Sequence, residues 1–223
     1  MINVKMASSA LGIEALYPMV CLVRKFRILP PNQSALDAEV RNVQDMIGRR
    51  RESGISDGRN LFGEKRAHLN LLKNFYKNGF RRHNNLIDAA NIVSLSSGVS
   101  IGLHDASSVS EDIVVELSSG GETIRPLFKE KSEKVPPGQL IYRSGDRLLA
   151  WIGAKDVDSD DFRILDTTES AMIVVLGNEA SDEAVNRRAC LRVLSLLRLS
   201  CPHAYGQIIP TIRDKISQSS CMD

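Results

Sequence analysis

The chain has 223 residues and a formal net charge of +2, and 43% of it is hydrophobic. That suits one good-sized domain with a core of its own, and it excludes a low-complexity chain. Cys21, Cys190, Cys201 and Cys221 show no paired spacing and read as thiols of a reducing compartment. The first residues make no signal peptide and no apolar run reaches membrane length, so a cytoplasmic protein is expected, with no membrane partner.

The charge is unevenly spread. Residues 41–82 hold eleven Lys and Arg against four Asp and Glu, a balance of +7; residues 101–183 hold eight against seventeen, a balance of −9. A polyanion is steered to the first region and repelled by the second. Aromatic and basic residues do not alternate, so sequence-specific reading of DNA is not expected.

In chain order, Val20 to Ile28 predicts a strand that ends at Pro30-Pro31. A helix follows from an N-cap at Ser34, with Leu36, Val40, Val43 and Ile47 at helical spacing and Arg49-Arg50-Arg51 at its negative end. Glu52 to Gly63 reads as a loop. A second helix is predicted over about Lys65 to Asn78, with Leu69, Leu72 and Tyr76 on one side and Gly79 as its cap. A third begins after Asn84-Asn85 and stops near Gly98.

Short β-rich runs come next: Ile113 to Leu117, Gln139 to Arg143, Arg147 to Ile152, and Ala171 to Leu176. Ser144-Gly145-Asp146 signals a hairpin between two of them. A last helix from about Asp182 to Ser200 carries Leu191, Leu194 and Leu197 as a stripe and halts at Pro202; a mobile tail over 210–223 is expected. Helices first and strands afterwards predict an α+β fold in a single domain, its core at about 16–180.

The third helix is the chemically informative one. Leu86, Ala90 and Val93 share one face, while Asp88, Asn91 and Ser94 share another at three-residue spacing. Polar groups on so apolar a helix need partners, in the adjoining loop or in a ligand. Beyond the break at Gly98, Gly102 permits a close backbone approach. His104 beside Asp105 offers an imidazole that a carboxylate can orient.

Asn84-Asn85-Leu86-Ile87-Asp88-Ala89-Ala90-Asn91-Ile92-Val93-Ser94-Leu95, with Gly98 and Gly102-x-His104-Asp105, resembles the signature of the editing domain in the phenylalanyl-tRNA synthetase beta subunit. Pro137-Gly138-Gln139-Leu140-Ile141-Tyr142, Trp151 with Lys155-Asp156, and Thr167-Thr168 resemble later segments of that domain, so the resemblance runs over about Leu16 to Glu179. It implies a β-sandwich of unusual topology flanked by helices, and hydrolysis of the ester between a wrong amino acid and tRNA.

A hydrolase of this kind is expected to use His104, Asn91 and Asp105 in catalysis, with Asp105 orienting His104. Asp88, Ser94, Gly102, Lys155 and Thr168 are expected to meet the substrate. Arg49, Arg50, Arg51, Arg81 and Arg82 would meet tRNA phosphates near the aminoacylated 3′ end.

Three departures stand out. The synthetase form has a histidine at the place of Gly102, a threonine at that of Ala90, and a glutamate near Leu176-Gly177. No class II synthetase motif is present, so the chain is not read as an active aminoacyl-tRNA synthetase. His and Cys do not cluster as ligands, so no metal or other cofactor is expected. The alternative expectation is a non-catalytic module that binds a free amino acid, or an RNA or protein partner.

Overall fold

Strand β2 (Met19–Arg24) and strand β10 (Ser170–Val175) explain the architecture. Their apolar runs do not alternate with polar residues because both faces of each strand are covered. Met19, Cys21 and Val23, with Ala171, Ile173 and Val175, face two helices, α4 (Asn85–Ser97) and α5 (Glu183–Leu197). Val20 and Leu22, with Met172 and Val174, face a second sheet. The result is three layers: helices, a four-stranded sheet and a six-stranded sheet, an α+β fold with the two sheets face to face. Each fully buried Val, Ile or Met on these strands contributes roughly 1.5–3 kcal/mol.

The computed structural model describes residues 2–31, 34–52, 67–153, 156–177 and 181–213, the side chains of residues 50–52 excepted. Besides β2 and β10, the smaller sheet holds β3 (Gly102–Asp105) and β11 (Tyr205–Ile209), in the order β11-β2-β10-β3. The larger sheet runs β12-β1-β4-β7-β8-β9. Its strands are β1 (Val4–Met6), β4 (Ile113–Leu117), β7 (Leu140–Ser144), β8 (Arg147–Ile152), β9 (Val157–Asp158) and β12 (Thr211–Arg213). β1 lies parallel to both β4 and β12. β5 (Thr123–Ile124) and β6 (Glu133–Lys134) pair with each other. The remaining helices are α1 (Ser8–Leu11), α2 (Asp37–Glu52) and α3 (Ala67–Asn78). None of the described helices is long and apolar enough to cross a membrane.

The predicted hairpin forms between β7 and β8, with Gly145 at φ 58°. Other expectations need correction. β2 stops at Arg24, because Lys25 turns the chain at φ 59°. α3 buries His68 and packs Leu71, Leu72 and Phe75 against Val43, Ile47 and Leu95, while Tyr76 is exposed. In α5 the stripe is Cys190, Val193, Leu194 and Leu197, and Leu191 faces solvent. Residues 211–213, read as part of a tail, form β12; 214–223 lie outside the described residues, as does the expected loop beyond Glu52. Cys21, Cys190 and Cys201 are buried free thiols, and Cys221 lies outside the described residues.

Candidate functional site

α4 is capped at both ends by its own sequence. Asn84 accepts a hydrogen bond from the Ile87 amide, and Gly98 closes the helix at φ 72° with its amide on the Ser94 carbonyl. Ser94 Oγ donates to the Val99 carbonyl at 2.8 Å and so braces the turn. The chain emerges aimed at the edge of the smaller sheet, where β3 pairs with β10.

Side chains alternate along β3. Leu103 faces the helices, while Gly102 and His104 face the larger sheet. His104 is fully buried and shares a 2.7 Å hydrogen bond between Nε2 and Tyr142 Oη. Burial pushes its pKa down to about 3, so the ring is neutral at physiological pH. Burial also raises the Tyr142 phenol well above its usual range. Asp158 Oδ1, from β9, stands 3.8 Å from the same Nε2.

Gly102 is essential to this packing. A Cβ there would stand 2.6 Å from Tyr142 Oη and 3.1 Å from His104 Nε2. The place that holds a histidine in the synthetase form is therefore filled here by the phenol of Tyr142 and the ring of His104.

A cleft opens beside this group, lined by Ser100, Gly102, Tyr142, Asp156, Asp158 and Leu176 among others, with about 40 Å³ of interior space. That is about the room one water needs. Asp156 Oδ2 accepts from the Ala67 amide at 2.7 Å and Ser100 Oγ accepts from the His68 amide at 3.3 Å, so two orphan donors at the start of α3 are satisfied at the cleft wall. Asp158 keeps 35% of its side chain open. Burial first, and repulsion from Asp156 second, push its pKa up to about 7.

Gly177 closes one side of the cleft at φ 101°, and a Cβ there would lie 2.8 Å from Asn186 Nδ2 and 2.9 Å from the Ala15 carbonyl. A side chain at Gly177 itself is therefore not accommodated. Among the described residues, no group of three His, Cys, Asp or Glu could hold a metal ion.

The structure separates residues that the sequence places together. Asp105 does not orient His104, because neighbours in a strand point to opposite faces. Its carboxylate instead accepts from the Ser107 amide and from Thr168 Oγ1. Thr168 is buried in that contact and also accepts from the Leu165 amide. Asp88 is a brace: it accepts from Arg82 Nε and from the His83 amide, both at 2.7 Å, and so holds the segment before α4. Arg82 also reaches Asp37, so this arginine is spent on ion pairs and is not offered to phosphate. Asn91 lines a different cavity, between α3 and α4, as does the exposed Arg81. Arg49 is exposed near the end of α2. Lys155 and the side chains of Arg50 and Arg51 lie outside the described residues.

Sequence reasoning misses Tyr142, Ser100 and Asp158 as wall residues. The signal for the acidic pair is the spacing Asp156-x-Asp158, which in extended chain puts both carboxylates on one side. It also misses Asn85, whose buried carboxamide accepts from the Leu29 amide and donates to the Arg27 carbonyl and Ser200 Oγ, tying α4 to the segment after β2 and to the end of α5.

Comparison with known proteins agrees with the fold and with the resemblance. A family model described as the B3/4 domain matches residues 51–191. The chain is similar to an N-terminal fragment of the phenylalanyl-tRNA synthetase beta-subunit from Pyrococcus horikoshii, with a TM-score of 0.55 and 12% identity over 96% of this chain. It spans 52% of that fragment, so the likeness is one of fold across about half of its length. No curated protein matches the chain by sequence.

Proposed function

We propose, for a chain that belongs to the B3/4 domain family, that the mouth of the cleft beside Gly102 receives the aminoacyl end of a tRNA and that its ester is hydrolysed there by a water seated inside. The observation that carries this reading is the Asp156–Asp158 pair on the cleft wall beside Gly102.

A general base works best with a pKa near the operating pH. Asp158 removes a proton from a water entering the cleft, and that water's oxygen attacks the ester carbonyl carbon. The tetrahedral intermediate then collapses, the carbon–oxygen bond to the ribose breaks, and the ribose oxygen takes up the proton that Asp158 accepted, which restores the carboxylate. Asp156 gives the amino group of the aminoacyl moiety a carboxylate to pair with. His104 has no proton-transfer part in this scheme: it is buried and neutral, and its Nε2 is engaged by Tyr142. Its part is to position Tyr142 at the cleft wall.

The amino acid differs from that of the synthetase form, since neither Leu176 nor Gly177 supplies the carboxylate that the resemblance leads one to expect near them. The same geometry gives a second reading weight: two carboxylates also suit the ammonium group of a free amino acid.

Deacylation of a panel of mischarged tRNAs tests the proposal. The wild-type chain is expected to turn over at least one of them, with a rate that rises with pH to a plateau above about 7, and Asp158→Asn is expected to lose at least a hundredfold, in line with the ~10²–10⁴-fold contribution of a general base. Absence of turnover on every pair, together with a melting temperature raised by free amino acids, would replace the hydrolase by the binding module.

A further inference from the structure

A second cavity, about 270 Å³, lies between α3 and α4 and is separate from the cleft at Gly102. Its floor is aromatic and aliphatic: Phe75, Phe80 and Leu95. Gly79 ends α3 at φ 72°, with its amide on the Phe75 carbonyl, and the turn brings Phe80 and Arg81 to the rim.

Asn74, Arg81, His83 and Asn91 converge on this space. None of the four makes a side-chain hydrogen bond or ion pair among the described residues. Arg82, next in the chain, contrasts sharply: its guanidinium is held by Asp37 and Asp88. Asn91 is half-buried on a helix whose other residues are mostly buried, and its carboxamide is presented to the cavity. Among the described residues no carboxylate lines the space.

Each part of this wall matches one part of a nucleotide. Aromatic rings give a base a surface to stack on. A carboxamide offers a donor and an acceptor side by side, which suits the edge of a base. An arginine without an internal partner suits a phosphate, with which its planar fork pairs bidentately. Among the described residues the lining carries Arg81 and no acid, which favours an anion over an ammonium ligand, the reverse of the cleft at Asp156 and Asp158.

We propose that the α3–α4 cavity is a nucleotide site, with the base against Phe75, Phe80 and the Asn91 carboxamide and the phosphate on Arg81. A nucleoside monophosphate can come from two sources, a free nucleotide or the 3′ end of an RNA. The second rests on the function proposed above; nucleotide binding itself does not.

Calorimetric titration of the full chain with AMP, adenosine, inorganic phosphate and an oligoribonucleotide ending in CCA tests it. AMP is expected to bind once per chain and more tightly than adenosine or phosphate. Arg81→Ala should weaken AMP by about tenfold or more and leave adenosine nearly unchanged, as expected for loss of one charge-assisted contact. Asn91→Ala should weaken both. Lys129→Ala, an exposed basic residue outside the cavity lining, should change neither. Tighter binding of the oligoribonucleotide than of AMP assigns the site to an RNA end; equal binding assigns it to a free nucleotide. No binding of AMP or oligoribonucleotide at millimolar concentration, or binding that ignores both substitutions, overturns the proposal. Deacylation measured on the same samples keeps the two readings apart: turnover without nucleotide binding removes only this site, and nucleotide binding without turnover removes only the hydrolase.

Discussion

Adding one methyl group at Gly102 tests whether Tyr142 has taken over the space of a missing side chain. In Gly102→Ala the new Cβ stands 2.6 Å from Tyr142 Oη, closer than side-chain atoms approach. Tyr142 is 2% exposed and lies within β7, so its ring cannot slide aside freely. The overpacking costs roughly 1–3 kcal/mol. The displaced hydroxyl also leaves His104 Nε2, where a buried group without its partner costs a further ~1–3 kcal/mol. The expected loss is about 2–6 kcal/mol, a large share of the ~5–15 kcal/mol that holds a domain folded.

The decisive measurement is a double-mutant cycle by urea denaturation. Tyr142→Phe alone loses about 1–2 kcal/mol, through the abandoned Nε2. In that background the oxygen is gone and the contact left is with Nε2 at 3.1 Å, so Gly102→Ala should cost less than about 1 kcal/mol. The two changes are thus coupled by at least about 1 kcal/mol, the double variant being more stable than the sum. Additivity within ~0.5 kcal/mol would refute the argument.

Other outcomes follow from neighbouring contacts. Arg82→Ala should cost about 3 kcal/mol in a denaturation experiment, because it strips the fully buried Asp88 carboxylate of its cation; a change below ~1 kcal/mol would show that the His83 amide alone suffices. Gly177→Ala, at φ 101° with backbone 2.9 Å from the new Cβ, should lower stability by at least ~2 kcal/mol, and an unchanged melting temperature would rule out that close approach. For pH, His104 is pushed down to about 3, so the unfolded chain binds a proton that the folded chain refuses and stability falls as pH drops from about 6.5 toward 3, whereas Asp158, raised to about 7, binds its proton in the folded state over much of that window and opposes the loss. Asp158→Asn removes the opposition, so the loss of stability between pH 7 and pH 4 should be larger in the variant; equal losses in variant and wild type would contradict the assignment.

What the sequence makes legible is local. Asn84 and Gly98 delimit α4 because a cap is decided within a few residues, and Gly102 is found because the motif leading to it is continuous. Asp158 is missed as a wall residue because it reaches Gly102 only across the gap between two sheets, a pairing set by β3–β10 and β8–β9 registers that no local pattern encodes. Asp105 is misassigned for the opposite reason: adjacency in the chain implies nearness, yet strand pleating puts neighbours on opposite faces. Asn91 and Gly102 part company in the same way, since a helix face and the strand after it need not share a cavity. The exposed Leu191 and Tyr76 show how a stripe drawn one residue off remains plausible on paper and fails once the neighbouring layer is known.

The parallel alignment of β1 between β4 and β12 also has a mechanical meaning. Tension applied to the chain before β1 and after β12 pulls these two adjacent strands lengthwise in opposite directions. The load then falls on the whole ladder Val4–Thr211, Lys5–Ile212 and Met6–Arg213 at once, in shear, and not on one bond after another. A two-strand seam only three residues long thus acts as a clasp that gives way all together, and the force needed to open it is governed by the unfolding rate of the sheet, not by its equilibrium stability.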